Sequence, residues 1–489
     1  MKNHAFSFRP RLLVLSMLLA ATQPAASAVR TWDGNGNTDN WGFINNPSLN
    51  TNWTANAPTL THPLPDSGDS LIFAGNTRTA NTNDLSALSV AGLSFAAGAG
   101  AFTLGGNALT STGNITNSSS NLQTINLPIS VGGIQTWDGG APGLTVNGAV
   151  TLGNNALTLQ NKTAIANGSS TVVVGNGGTA SLNLQSGSTI TANEGTIGNT
   201  PSGNGTVTVD GAGSAWNNAA RMFVGLSGAG SLTIQNGGKV SNGQGYLGYF
   251  AGSSGTATVT GAGSQWINNA DLKVGITDDG VLSILNGGSV SNNDGYLGYI
   301  SGSTGSVTVG GAGSAWNNAN NLYLGFDANA ASSVTVNGGG TVSMGNALNI
   351  GEKGALNLSG GTVTAASASK AAGGQFNWTS GTLQLAGLDL DAGSSLFGHS
   401  LALGSGQQFN TTGLLNLGAA GSVNVGSGAT LQVGAGGTVG SVSGNITDNG
   451  QVVFNRSNDL SYDGVISGSG GLAKNGGGVL TLTGTNTYT

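Results

Sequence analysis

The sequence predicts an all-β chain wound as a right-handed parallel β-helix, a solenoid of about 25 residues per coil. The first observation behind this is a repeat. Apolar-polar-apolar triplets recur from Leu157-Thr158-Leu159 through Leu182-Asn183-Leu184, Val207-Thr208-Val209, Leu232-Thr233-Ile234, Ala257-Thr258-Val259, Leu282-Ser283-Ile284 and Val307-Thr308-Val309 to Val334-Thr335-Val336. They advance at a constant step of about 25 residues, the beat of a repeat architecture, and only the last step is slightly longer. The second is composition: 88 glycines and only 7% charged residues, against ~25% in ordinary globular domains. The third is size. So short a unit cannot close its own core, so it must stack on its neighbours. Period-two triplets bounded by Gly, Asn and Ser read as short strands joined by turns. Parallel strands cannot be joined by hairpins, so the chain must wind. A β-propeller is the alternative, but the beat is too short for a four-stranded blade. Disorder is disfavoured, because 38% of residues are apolar and net charge is only −6.

At the N-terminus, Lys2, Arg9 and Arg11 precede the apolar run Leu12–Ala21, and Ala26-Ser27-Ala28 follows as an A-x-A cleavage site. Residues 1–28 therefore read as a secretory signal peptide, cut after Ala28. The run is too short to span a bilayer. The charge-free stretch Leu85–Leu104 is broken by Ser and Gly and reads as strands, so the mature chain should not span a membrane. Residues 29–150 form an N-terminal capping region, 151–355 the regular coils, and 356–489 less regular coils. About 461 residues after the signal peptide would give roughly 18 coils and, at ~4.8 Å each, a rod on the order of 90 Å.

Two unit types alternate within 151–355. One carries GAGSxW, seen at Gly211–Trp216, Gly261–Trp266 and Gly311–Trp316. The other carries NGG at Asn236–Gly238 and Asn286–Gly288, followed by YLGY at Tyr246–Tyr249 and Tyr296–Tyr299. An apolar-Gly pair marks every unit, as in Val224-Gly225, Leu247-Gly248 and Val274-Gly275. In register, Val240 and Val290 fall between the tryptophans, so a large-small column should pack the core. A row of aromatic platforms for a glycan is the competing reading of Trp216, Trp266 and Trp316. Asn218, Asn268 and Asn318 read as turn or ladder residues; a strict ladder would need one per coil, and these come every second coil.

Chemistry is sparse. No basic patch suggests nucleic acid. Cysteine is absent, which removes disulfides and thiolate sites. Beyond the signal peptide the histidines are His62 and His399, and the glutamates Glu194 and Glu352, all at unrelated places. Asp278-Asp279 is the one adjacent acidic pair, and a polysaccharide-degrading solenoid would place its site there. The same turn reads Gly228-Ala229 and Ala328-Asn329 in neighbouring double repeats, which fits a solvent-facing turn. Asp33–Asp39 offers alternate oxygens for calcium but lacks the Gly and distal Glu of an EF-hand loop, so an Asx turn is expected. Trp137-Asp138-Gly139 repeats its opening. No catalytic, metal or cofactor-binding residue is assigned, and no cofactor is expected.

The segment from Gly470 to Tyr488, within 459–489, closely resembles the passenger-associated transport repeat of autotransporters. Gly470, Leu472, Lys474, Gly476, Gly478, Leu480, Leu482, Gly484, Asn486 and Tyr488 all fit its pattern. The opening is similar too: Trp32-Asp33-Gly34, Asn40-Trp41, Asn52-Trp53 and Asp69–Phe73. The resemblance implies a Gram-negative passenger domain exported by the Sec pathway and carried through the outer membrane by a translocation barrel. No barrel follows Thr489, so a fragment or a separate translocator is expected. The function implied is a non-enzymatic rod at the cell surface or secreted, with adhesion to host, matrix or glycans, or self-association, as its roles. A polysaccharide-binding or polysaccharide-degrading β-helix is the alternative.

Overall fold

The computed structural model describes residues 27–43, 51–55 and 64–489. The predicted signal peptide, except Ser27 and Ala28, lies outside the described residues, as does His62. The chain is all-β, a parallel solenoid of about 17 turns spaced about 24 residues apart. The mean falls below the spacing of the central triplets because the ends wind more tightly. Leu71 pairs with Leu93 and Leu93 with Ile115 at one end, and Ile446 with Ile466 at the other, each a shorter interval than Val207 to Leu232.

Each central coil has three faces. One coil runs Asn204–Asp210, Ala215–Asn218 and Arg221–Val224; the next runs Ala229–Gln235, Lys239–Asn242 and Gln244–Leu247. The triplets stack in register on the first face, where Val207 pairs with Leu232, then Ala257, Leu282, Val307 and Val334. Their apolar members are buried. The middle residues Thr208, Thr233, Thr258, Ser283, Thr308 and Thr335 form an outward column. Alternation thus sends every second residue inward, as a strand covered on one side requires.

The turn motifs have separate jobs. GAGS and NGG are two spellings of the first corner. Asn236 and Asn286 hold φ of 53°, a left-handed conformation that asparagine tolerates better than most residues. The serine of GAGS reaches into the adjacent coil: Ser264 Oγ accepts the Gly237 N–H at 3.0 Å, and Ser314 Oγ the Gly287 N–H at 3.1 Å. The apolar-Gly mark is the exit from the third face. Gly275 has φ 72°, and a Cβ there would collide with the Thr304 carbonyl oxygen of the next coil.

At the N-terminal end, Trp53–Ala55 runs antiparallel to Val29–Trp32, which pairs in parallel with Ser70–Phe73 on its other edge. Trp32, Trp41, Trp53, Phe73, Phe95 and Phe102 fill the end of the tube. Trp32 and Trp53 meet edge-to-face at 5.2 Å, and Phe73 stacks on Phe95 at 5.4 Å. Among the described residues, these aromatics close that end of the stack. The Arg30 guanidinium, buried beside them, pairs with Asp69 at 2.7 Å. At the other end, Leu472 lies over Val452, and Leu480 and Leu482 over Leu460 and Tyr462. All three leucines remain half-buried.

Candidate binding surface on the third face

The second face settles the tryptophans. Ile190, Trp216, Val240, Trp266, Val290, Trp316 and Val342 pair successively in one inward column. The three indoles are 0% exposed, so they cannot serve as glycan platforms. The expected large-small alternation is what packs them.

Of the turn and ladder readings of the asparagines, the ladder holds, with a member in every coil and not in every second one. Asn218, Asn242, Asn268, Asn292 and Asn318 are all buried, and the strand register places one in each coil. This is an asparagine ladder inside the tube. Asn242 Nδ2 donates to Asn268 Oδ1 and Asn292 Nδ2 to Asn318 Oδ1, both at 2.7 Å. The Asn242 and Asn292 oxygens accept the indole N–H groups of Trp266 and Trp316, also at 2.7 Å. Trp216 has no such acceptor, because Ala192 stands below Asn218 where the ladder would continue. Its Nε1 and the Asn218 Oδ1 are buried without partners.

The acidic candidates are held in turns. Asp278 accepts the Gly252 N–H at 2.7 Å and the Asp279 N–H at 3.0 Å. Exposed Asp279 accepts the Thr304 hydroxyl. Asp33 accepts the Asn35 N–H at 3.0 Å, the expected Asx turn, and Asp39 pairs with Arg78 at 3.0 Å. Asp138 forms the same kind of turn with Gly140. Burial pushes its carboxyl up, but hydrogen bonds from Gly140, Asn161 and Gln160 outweigh it and hold the pKa below the usual value. His399 Nδ1 lies 2.9 Å from the Leu390 carbonyl oxygen, and Glu352 accepts the Gly373 N–H at 2.9 Å. Among the described residues, no three His, Cys, Asp or Glu side chains gather as a metal site would need.

The third face carries a feature that was not assembled from the sequence. Phe223, Tyr246, Lys273, Tyr296 and Tyr323 pair successively and point outward. Beside them, past the glycine corner, run Leu226, Tyr249, Phe250, Ile276, Tyr299, Ile300 and Phe326. Phe223 stacks on Tyr246 at 5.0 Å, Tyr296 on Tyr323 at 5.0 Å, and Tyr299 on Phe326 at 4.9 Å. The Lys273 ammonium sits 4.1 Å from the Tyr299 ring centre and 5.5 Å from that of Tyr296. Phe250 is 51% exposed, Phe326 48% and Ile300 44%. Burial, then the nearby Asp294 and Asp271 carboxylates, push the Tyr296 hydroxyl up to about 12. Burial also raises Tyr246. Both are therefore neutral hydroxyls at physiological pH. The signal lay in the residue before each apolar-Gly mark, which is aromatic or lysine from Phe223 to Tyr323.

Fold and surface together define a parallel β-solenoid protein with an outward aromatic strip. Compared with known protein families, curated proteins and solved structures, the chain matches none.

Proposed function

We propose that the chain is an exported, non-enzymatic rod displayed at or released from the surface of a Gram-negative bacterium, the passenger region of an autotransporter-like protein. The observation that carries the reading is the terminal repeat, Gly470–Tyr488, lying as one more lap of a continuous parallel stack. Its distinctive polar residues have structural employment. Lys474 Nζ donates to the carbonyl oxygens of Arg456, Asn475 and Gly476 at 3.1, 2.7 and 3.1 Å. Asn486 Oδ1 accepts the Ile466 N–H of the preceding lap at 2.8 Å. A lap that binds its predecessor this closely suits a role as folding seed, with other coils adding to it one at a time. Asp278 and Asp279 serve the turn they sit on, which supports the rod over the depolymerising alternative.

The test is surface display. The full chain is fused ahead of an outer-membrane translocation barrel, and intact cells are probed by antibody and protease. Display should depend on both the leader and the terminal repeat, so Lys474→Ala with Asn486→Ala should lower it. Undiminished display in that variant, or retention of the wild-type rod in the cytoplasm, counts against the reading.

A further inference from the structure

We propose that the aromatic strip of the third face is a docking surface for a cationic polypeptide segment that carries lysine or arginine beside apolar side chains. The strip exposes Phe250, Ile300 and Phe326 over a buried base of Phe223, Tyr246 and Ile276, on a chain whose first-face outward column is Thr and Ser, and such an apolar patch marks an interaction site. From Phe223 to Tyr323 it crosses four coil rises, ~19 Å, the reach of about six extended residues.

Three observations select the occupant. One face of each ring is spent on its stacking partner, since Phe223–Tyr246, Tyr296–Tyr323 and Tyr299–Phe326 are stacked along the rod, and the rings turn their edges outward. A sugar ring approaching from outside meets ring edges and the aliphatic Leu226 and Ile300, a poor platform for a pyranose. The rim is acidic. Asp271 and Asp294 stand just before the strands that carry Lys273 and Tyr296, along one edge of the column. Asp278, bound to the turn after Phe250, and Asp327, next to Phe326, flank the other edge. Arg221 and Lys273 are the cations along it, so the local field attracts positive charge. Finally, the strip already holds an ammonium, that of Lys273 over Tyr299 and Tyr296. Cation-π attraction of this kind is available to an incoming lysine or arginine at the unstacked faces of the exposed Phe250 and Phe326. Docking at the third face is independent of the route of export.

The test is fluorescence anisotropy with the purified chain and two labelled synthetic nonapeptides, one alternating lysine with leucine and one alternating glutamate with leucine. The lysine peptide should bind, and binding should weaken as salt rises; the glutamate peptide should not bind. Phe250→Ser with Phe326→Ser, and separately Asp271→Asn with Asp294→Asn, should each weaken binding at least tenfold. Phe250 and Phe326 are exposed, and asparagine keeps the oxygens with which Asp271 accepts the Asp294 N–H and Asp294 the Asn321 N–H, so circular dichroism should be unchanged. Equal binding of both peptides, no loss in either paired variant, or no binding at all overturns the proposal. Self-association of the chain that is abolished by Phe250→Ser with Phe326→Ser would give the strip to a second copy and also overturn it. Capture of a neutral glycan by the strip in place of the lysine peptide would do the same.

Discussion

The three buried tryptophans allow one substitution to be made in three nearly identical places. Trp→Phe at 216, 266 or 316 removes similar volume from a site between two aliphatic neighbours on the same column. Lost packing should cost about 1–3 kcal/mol at each, a fraction of a full truncation. The polar consequences have opposite sign. At 266 and 316 the change strands a buried asparagine oxygen that had accepted the indole N–H at 2.7 Å. A stranded acceptor adds about 1–3 kcal/mol. At 216 the change deletes an N–H that was already buried and unpartnered, which relieves a penalty of the same size. Trp216→Phe should be near neutral, and the other two variants should be less stable than it by at least about 2 kcal/mol. Repeat stacks can open locally, so the measurement is hydrogen exchange resolved to the mutated coil, supported by urea midpoints. Equal losses at all three positions would refute the assignment of the ladder as the acceptor.

A gain is expected one coil earlier. Ala192→Asn would extend the ladder, offer Trp216 its missing acceptor, and raise stability by about 1 kcal/mol; a loss in urea midpoint would show that the coil lacks room. Asp448 is buried, and burial raises its pKa despite hydrogen bonds from the Gly450 and Val452 backbone. A raised acid favours folding only while protonated, so its contribution falls as pH climbs from the ordinary value of 3.8 through the raised one, then stays level. Asp448→Asn should therefore raise the melting temperature at pH 7 and lose that advantage near pH 3; a lower melting temperature at pH 7 would contradict this. Gly275→Ala meets both a left-handed φ of 72° and the Thr304 carbonyl oxygen, and should cost more than about 4 kcal/mol. Gly252→Ala has a φ of 82° but open space around it, and should cost only about 1 kcal/mol; similar thermal shifts for the two would remove steric contact as the reason for the corner glycine.

What was legible in the sequence divides along the two sides of each strand. The inward side is constrained by the coil above and below, so its residues must repeat. That is why the triplets and the Trp-Val column could be read by subtracting positions. The asparagine ladder was only half legible because GAGS and NGG corners differ in length. Asn218, Asn242, Asn268, Asn292 and Asn318 advance by alternately shorter and longer steps, and a search at one fixed period finds only every second member. Correcting for corner length would have recovered Asn242 and Asn292. The aromatic strip was hidden for a different reason. YLGY drew attention as a marker of the unit, yet Phe223, Lys273 and Tyr323 occupy the same outward position in other spellings. Stacking places little demand on an outward side chain, so identity there can change from coil to coil without disturbing the fold. The position that reads Gly228-Ala229, Asp278-Asp279 and, by the strand register, Ala330-Ala331 shows the same freedom. In such a rod the repeat records the architecture, and departures from the repeat on the outward columns are where recognition can be written. An outward run that stays aromatic across adjacent coils, beside a column of Thr and Ser, is therefore the departure on which a search for partners should begin.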